Sequence, residues 1–165
     1  MSEALKMYHY HVWANTRVFD HLAQLPADVL RAPLQSVFPT IADALAHMYI
    51  VDNLWLTAMS GQAADIYRLL PTWEEEVKDA TVDTFQSRFS EVAGRYEMFL
   101  AHQKDLQSIS EYPHPRHGTL RASYSDIVHH IANHGTYHRG NITAMLRQLG
   151  HAGPSTDYVF YLYTI

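Results

Sequence analysis

The sequence predicts an all-α fold built on four long helices, and three observations carry that expectation. Apolar residues recur at three- and four-residue spacing over four separate stretches of the 165-residue chain. Pro26, Pro39, Gly61 and Gly150 fall at the ends of those stretches, where helices stop or have not begun. Only one short region, 108–123, carries the turn residues expected of extended chain.

The first helix is expected over about 2–25, with Met7, Tyr10, Ala14, Val18 and Leu22 on one stripe. The second is expected over about 40–59, with Pro39 before it and Gly61 just beyond. Residues 61–80, containing Pro71 and Trp73, read as a connector. The third helix is expected over about 82–107, with a stripe of Phe85, Phe89, Val92, Tyr96 and Phe99 and a weak point at Gly94. Residues 108–123 carry Pro113, Pro115 and Gly118, which predict a loop or a short irregular hairpin because prolines discourage ladder bonding. Ser123 or Ser125 caps the fourth helix, which stops at Gly150. The aromatic tail Tyr158-Val159-Phe160-Tyr161-Leu162-Tyr163 must pack either on the helices or on a second subunit.

Composition narrows the functions. The length suits one domain, 1–165, with a real core. There is no cysteine, so disulfides, thiolate ligands, iron–sulfur clusters and a cysteine nucleophile are excluded, and a cytoplasmic location is expected. No apolar run reaches the length of a membrane span, and the first residues do not read as a signal peptide. The formal charge is −5 with scattered Lys and Arg, which argues against nucleic acid as a partner. The 12 histidines are unusually many and do not form the consecutive run of a tag.

The most informative segment is 129–141, where His130, His134 and His138 stand at successive four-residue steps. Such residues share a helix face about 6 Å apart along the axis, so two imidazoles can converge on one metal. His130 and His138 are about 12 Å apart along the axis, too far to share an ion comfortably. His134 belongs to either possible pair. The stripe Ile127, Ile131, His134, His138, Met145 and Leu149 favours His134 with His138. Gly135 occupies the place of the zincin glutamate, which removes a metalloprotease reading. The best third donor is His47, in the strongly apolar helical segment 41–56. Three histidines with a fourth position open is the arrangement of catalytic zinc, although nickel, iron and manganese accept the same donors.

The elements Tyr10-x-x-Trp13-Ala14-Asn15, His47 ahead of Trp55-Leu56, and Asn133-His134-x-x-x-His138-Arg139-Gly140 resemble the DinB/YfiT-like superfamily of small metal-binding proteins, which is distinct from the DNA polymerase sharing the DinB name. The likeness covers nearly the whole chain. It implies an up-down-down-up four-helix bundle, often a homodimer, with a divalent metal on His47, His134 and His138 and water completing the shell. Asn141 departs from the pattern, which usually has Gln there. Similar superfamily members include thiol S-transferases acting on low-molecular-weight thiols and metal-dependent hydrolases.

An open three-histidine site bearing zinc or nickel would serve a small-molecule substrate, either by deprotonating a thiol or by activating water. The resemblance implies a metal-dependent transferase of the thiol type; a hydrolase and a non-catalytic metal- or ligand-binding stress-response protein are the alternatives. Candidate general bases are Asp52 and Tyr137. Arg139 is expected to form an ion pair with Asp43 or Asp52, and Tyr10, Trp13 and Trp55 are expected to rim the pocket.

Overall fold

The computed structural model describes residues 2–114 and 116–165; Met1 and Pro115, one of the prolines of the expected loop, lie outside them. Helix α1 spans Glu3–Leu22, and its N-cap Ser2 accepts from the Leu5 amide at 3.2 Å. Helix α2 spans Ile41–Met59 behind Thr40, whose hydroxyl accepts from the Asp43 amide. Helix α3 spans Ile66–Val77 and α4 spans Val82–His102. Strands β1 (Ile109–His114) and β2 (Gly118–Ser123) form an antiparallel hairpin that leads into α5, Tyr124–Gln148. A short α6, Tyr158–Leu162, ends the chain.

Helices α1 and α2 each pack on both α4 and α5. The volume between them is filled by Tyr8, Phe19, Met48, Phe85, Tyr96, Ile131 and Met145, all essentially without solvent contact. Of the two serines considered as caps for α5, Ser123 takes the role. Its hydroxyl accepts from the Asp126 amide at 3.0 Å while the Asp126 carboxylate accepts from the Ser123 amide at 3.0 Å, a reciprocal box. Gly150, at φ +86°, closes the same helix in the left-handed region that a side chain would resist.

Two boundaries differ from expectation, and one alternative is decided. The connector 61–80 contains α3, whose Ile66, Leu70, Trp73 and Val77 make a helical stripe; Pro71 lies inside that helix, and burial of Trp73 and Val77 outweighs the lost backbone bond. Helix α4 stops at His102 rather than near 107, because Gln103 is extended and the Asp105 carboxylate accepts from the Gln107 amide in a local turn. Of the two alternatives for 108–123, a loop or a short hairpin, the hairpin holds, over 109–123 and in continuous register with Pro113 facing Thr119. A two-stranded ribbon leaves each strand a free edge, where a proline without a donor is tolerated. Among the described residues, no helix is long and apolar enough to cross a membrane.

The aromatic tail packs on its own chain. Tyr161 is buried against Tyr10 and Trp13, with ring centroids 5.9 and 5.8 Å away, and the Tyr10 hydroxyl donates to the Thr156 carbonyl at 2.9 Å.

Candidate metal centre

The packing of α2 on α5 brings three imidazoles to one point. His47 projects from α2, whereas His134 and His138 stand one turn apart on α5, above the buried Ile131 and below Ile142 and Met145. The Nε2 atom of His134 lies 3.1 Å from that of His47 and 3.0 Å from that of His138. One ring nitrogen from each residue falls within 4.8 Å of the other two, and no carboxylate joins this group among the described residues. Phe38 covers the cluster, its ring 5.2 Å from His47 and 5.4 Å from His138.

Burial, reinforced by the neighbouring imidazoles, lowers the pKa of His134 to about 3 and that of His138 to about 4; burial lowers that of His47 as well. All three rings are therefore neutral at pH 7 and carry a lone pair. Hydrogen bonds serve such a cluster badly. The single Nε2 position of His134 holds either a proton or a lone pair, yet it faces two other ring nitrogens. Its Nδ1 is buried with no partner among the described residues. A cation suits the set better: four nitrogens at zinc distances around a tetrahedron are about 3.3 Å apart, close to the spacings seen here. These residues fit a divalent ion.

His130 stays outside. It is exposed, its ring centroid 5.9 Å from His134 and 5.2 Å from Trp55. Tyr137 is 61% exposed and stands edge-on to the His138 ring at 5.0 Å. Asn141 approaches His138 Nδ1 at 3.5 Å; turned so that its oxygen faces the ring, it accepts from Nδ1–H and leaves Nε2 free.

A second polar cluster lies buried between α1, α2 and α5. Asp52, only 2% exposed, has Oδ2 3.0 Å from His11 Nε2, and His11 is 1% exposed. Arg139 Nη1 reaches His11 Nδ1 at 3.4 Å and donates to Asn15 Oδ1 at 2.8 Å, while its Nη2 donates to Thr136 at 2.9 Å. His11 Nε2 also lies 3.0 Å from Asn15 Nδ2; with Nδ1 accepting from Arg139, the Nε2 proton donates to Asp52 and the Asn15 amide is a close neighbour of that nitrogen, not a donor to it. The cluster is so close that a Cβ on Gly135 would lie 2.4 Å from His11 Nδ1. Helix α5 can approach α1 here only because residue 135 is glycine.

This cluster corrects three expectations. Asp52 is bound to His11 and is not a free general base. Arg139 pairs with neither Asp43 nor Asp52 but with uncharged partners on α1 and on its own helix. Tyr10 and Trp13 are packed under α6, so the aromatic cover of the triad comes from Phe38, which sequence reasoning missed. His11 was missed too, and Asn15 entered only as part of the resemblance, although the two sit one turn apart between the buried Tyr8 and Val18 of α1, a polar pair on an apolar face.

Comparison with known proteins shows the family. The chain is 38% identical over 161 residues to Protein DinB of Bacillus subtilis (strain 168), covering 97% of this chain and 94% of that relative. A crystal structure of a DinB-like protein from Bacillus cereus ATCC 10987 shares the fold with a TM-score of 0.67 at 17% identity, over 92% of this chain and 94% of that one. The family model described as DinB family matches residues 1–165, and the chain belongs to that family.

Proposed function

We propose that this chain holds a divalent ion, zinc or nickel, on His47, His134 and His138, and that it is an enzyme joining a low-molecular-weight thiol to an electrophilic small molecule. The observation that carries the reading is the convergence of three neutral ring nitrogens with no hydrogen-bonding solution of their own. An ion bound there with a position free supplies Lewis acidity that favours the thiolate at neutral pH. The chain's own residues supply placement. His134 and His138 are held by the rigid turn of α5, His47 by α2, and Phe38 keeps one side of the cluster dry. Because the chain has no cysteine, the thiol must come from solution.

The alternatives are a hydrolase and a non-catalytic metal-binding protein of the stress response. The absence of a carboxylate grouped with the triad among the described residues favours transfer, since attack by water ordinarily uses a nearby base to take its proton. We place the protein in the cytoplasm as a homodimer, for which the exposed Val159, Phe160 and Ile165 offer an apolar surface. The test is conjugation of small thiols to a panel of electrophiles. Metal-loaded protein should accelerate it, and metal-free protein and His138→Ala should not. Equal rates across the panel would sink the transferase reading in favour of hydrolysis or plain binding.

A further inference from the structure

A cavity of about 560 Å³ opens between α2, α3 and the hairpin, away from the triad. Small-molecule sites run from about 300 to 1,000 Å³ and are mostly apolar with a few placed polar groups. This cavity has that character: Trp55, Ile66, Leu70 and Leu120 line it, and two histidines of the hairpin, His114 and His117, stand among its walls.

One wall leads toward the triad. Trp55 lies two turns beyond His47 on α2, about 12 Å along the axis. The His130 ring stands edge-on to Trp55 at 5.2 Å and 5.9 Å from the ring of His134. A molecule lodged against Trp55 therefore has an aromatic path over His130 to the triad. The hairpin supplies polarity. His114 Nδ1 accepts from the amides of Arg116 at 3.1 Å and His117 at 3.2 Å, which places the ring proton on Nε2 as a donor.

We propose that this cavity binds an aromatic small molecule carrying an anionic or carbonyl acceptor, with its rings against Trp55 and its acceptor on His114 Nε2–H. Resting on the function proposed above, the cavity is where the apolar body of the electrophilic substrate lodges while its reactive end extends past His130. That assigns the cavity to substrate recognition and the triad to chemistry.

The cavity is tested by fluorescence titration of the whole chain, metal-free and metal-loaded, with anilinonaphthalene sulfonate and with neutral phenylnaphthylamine. Both dyes should bind saturably at one site while the protein still melts cooperatively. Ala63→Trp, which fills the cavity, and Leu120→Glu, which charges its wall at a residue 47% exposed, should each weaken both dyes by about tenfold or more. Should Ala63→Trp not fold, Leu120→Glu decides alone. His114→Ala should weaken the sulfonate about threefold or more and leave the neutral dye within about twofold. Absence of saturable binding, or wild-type binding by folded Leu120→Glu, overturns the site. Loading the protein with Co²⁺ should quench the bound dye whereas Zn²⁺ does not, because the coloured ion accepts excitation at short range. Cobalt bound stoichiometrically without quenching would separate the cavity from the triad. Elemental analysis of the same samples judges the metal reading independently: dye binding without metal leaves the cavity and removes the triad, and metal without dye binding does the reverse.

Discussion

Histidine occurs in two buried settings in this protein, and they differ in one respect. His11 has a carboxylate on one ring nitrogen and a guanidinium on the other, so both positions are satisfied inside the fold. His47, His134 and His138 face chiefly one another, and each ring nitrogen at the centre meets another nitrogen of the same kind. A satisfied histidine is a structural part, and its removal costs stability. Three that face one another at a common point are a candidate site, and their removal is expected to cost binding. Only Gly135 separates Thr136, which anchors Arg139 in the first setting, from the ligand candidate His134, so one stretch of α5 serves both.

The largest effect that separates the two settings concerns metal content. His134→Ala should fall from about one ion per chain to none, whereas His130→Ala should keep its ion, because only His134 lies between two other ring nitrogens. Equal loss from both changes in elemental analysis would mean that the triad is misassigned.

Asp52→Ala should do the opposite. It leaves the His11 N–H buried without an acceptor and should lower unfolding stability by about 2–3 kcal/mol in urea titrations. Metal stoichiometry should remain near one, since Asp52 is not grouped with the triad. Metal loss without a stability change would merge the two settings into one.

Removing the ion from wild-type protein should cost a similar amount. A ligand at a hundred times its dissociation constant stabilises the folded state by about 2.7 kcal/mol if it binds that state alone. For a chain of this size a chelator should then lower the melting temperature by about 5–10 °C. A melting temperature indifferent to chelator, in protein shown to carry metal, would contradict a link between α2 and α5 through the ion.

The smallest effect is that of mild acid on metal-free protein. The folded-state pKa values of His134 and His138, about 3 and about 4, lie below the ordinary imidazole value of 6.5, so the unfolded chain binds more protons in between. Their contribution is fully present above pH 6.5 and is lost as pH falls through that value toward 4. The urea midpoint should decline from pH 7 to pH 5.5, and His134→Asn should flatten the decline. A midpoint that is level over this range in wild-type protein would show that the rings are not held neutral by burial.

Much of this was legible in the residues. The periodicity of Phe85, Phe89, Val92 and Tyr96, or of Ile127, Ile131 and Met145, marks buried faces because a helix returns to the same side every three or four residues. The four-residue step from His134 to His138 is a local matter of the same kind. Pro71 misled, and Pro113 left a loop and a hairpin both open, for a shared reason. A proline states what its own backbone lacks, while neighbours such as Trp73 and Tyr112 decide by their burial whether the element forms regardless.

What the sequence determined by itself was therefore carried within single helices: the four long elements, their buried stripes, and a histidine pair able to share an ion. Only the tertiary structure decided which distant residues meet those stripes. It set His47 3.1 Å from His134, seated His11 under Gly135, gave Asp52 to His11 instead of to Arg139, and moved Tyr10 and Trp13 beneath α6. Spacing along a helix follows from covalent geometry and can be counted. Contacts between helices depend on how whole faces pack, and no single segment contains that information.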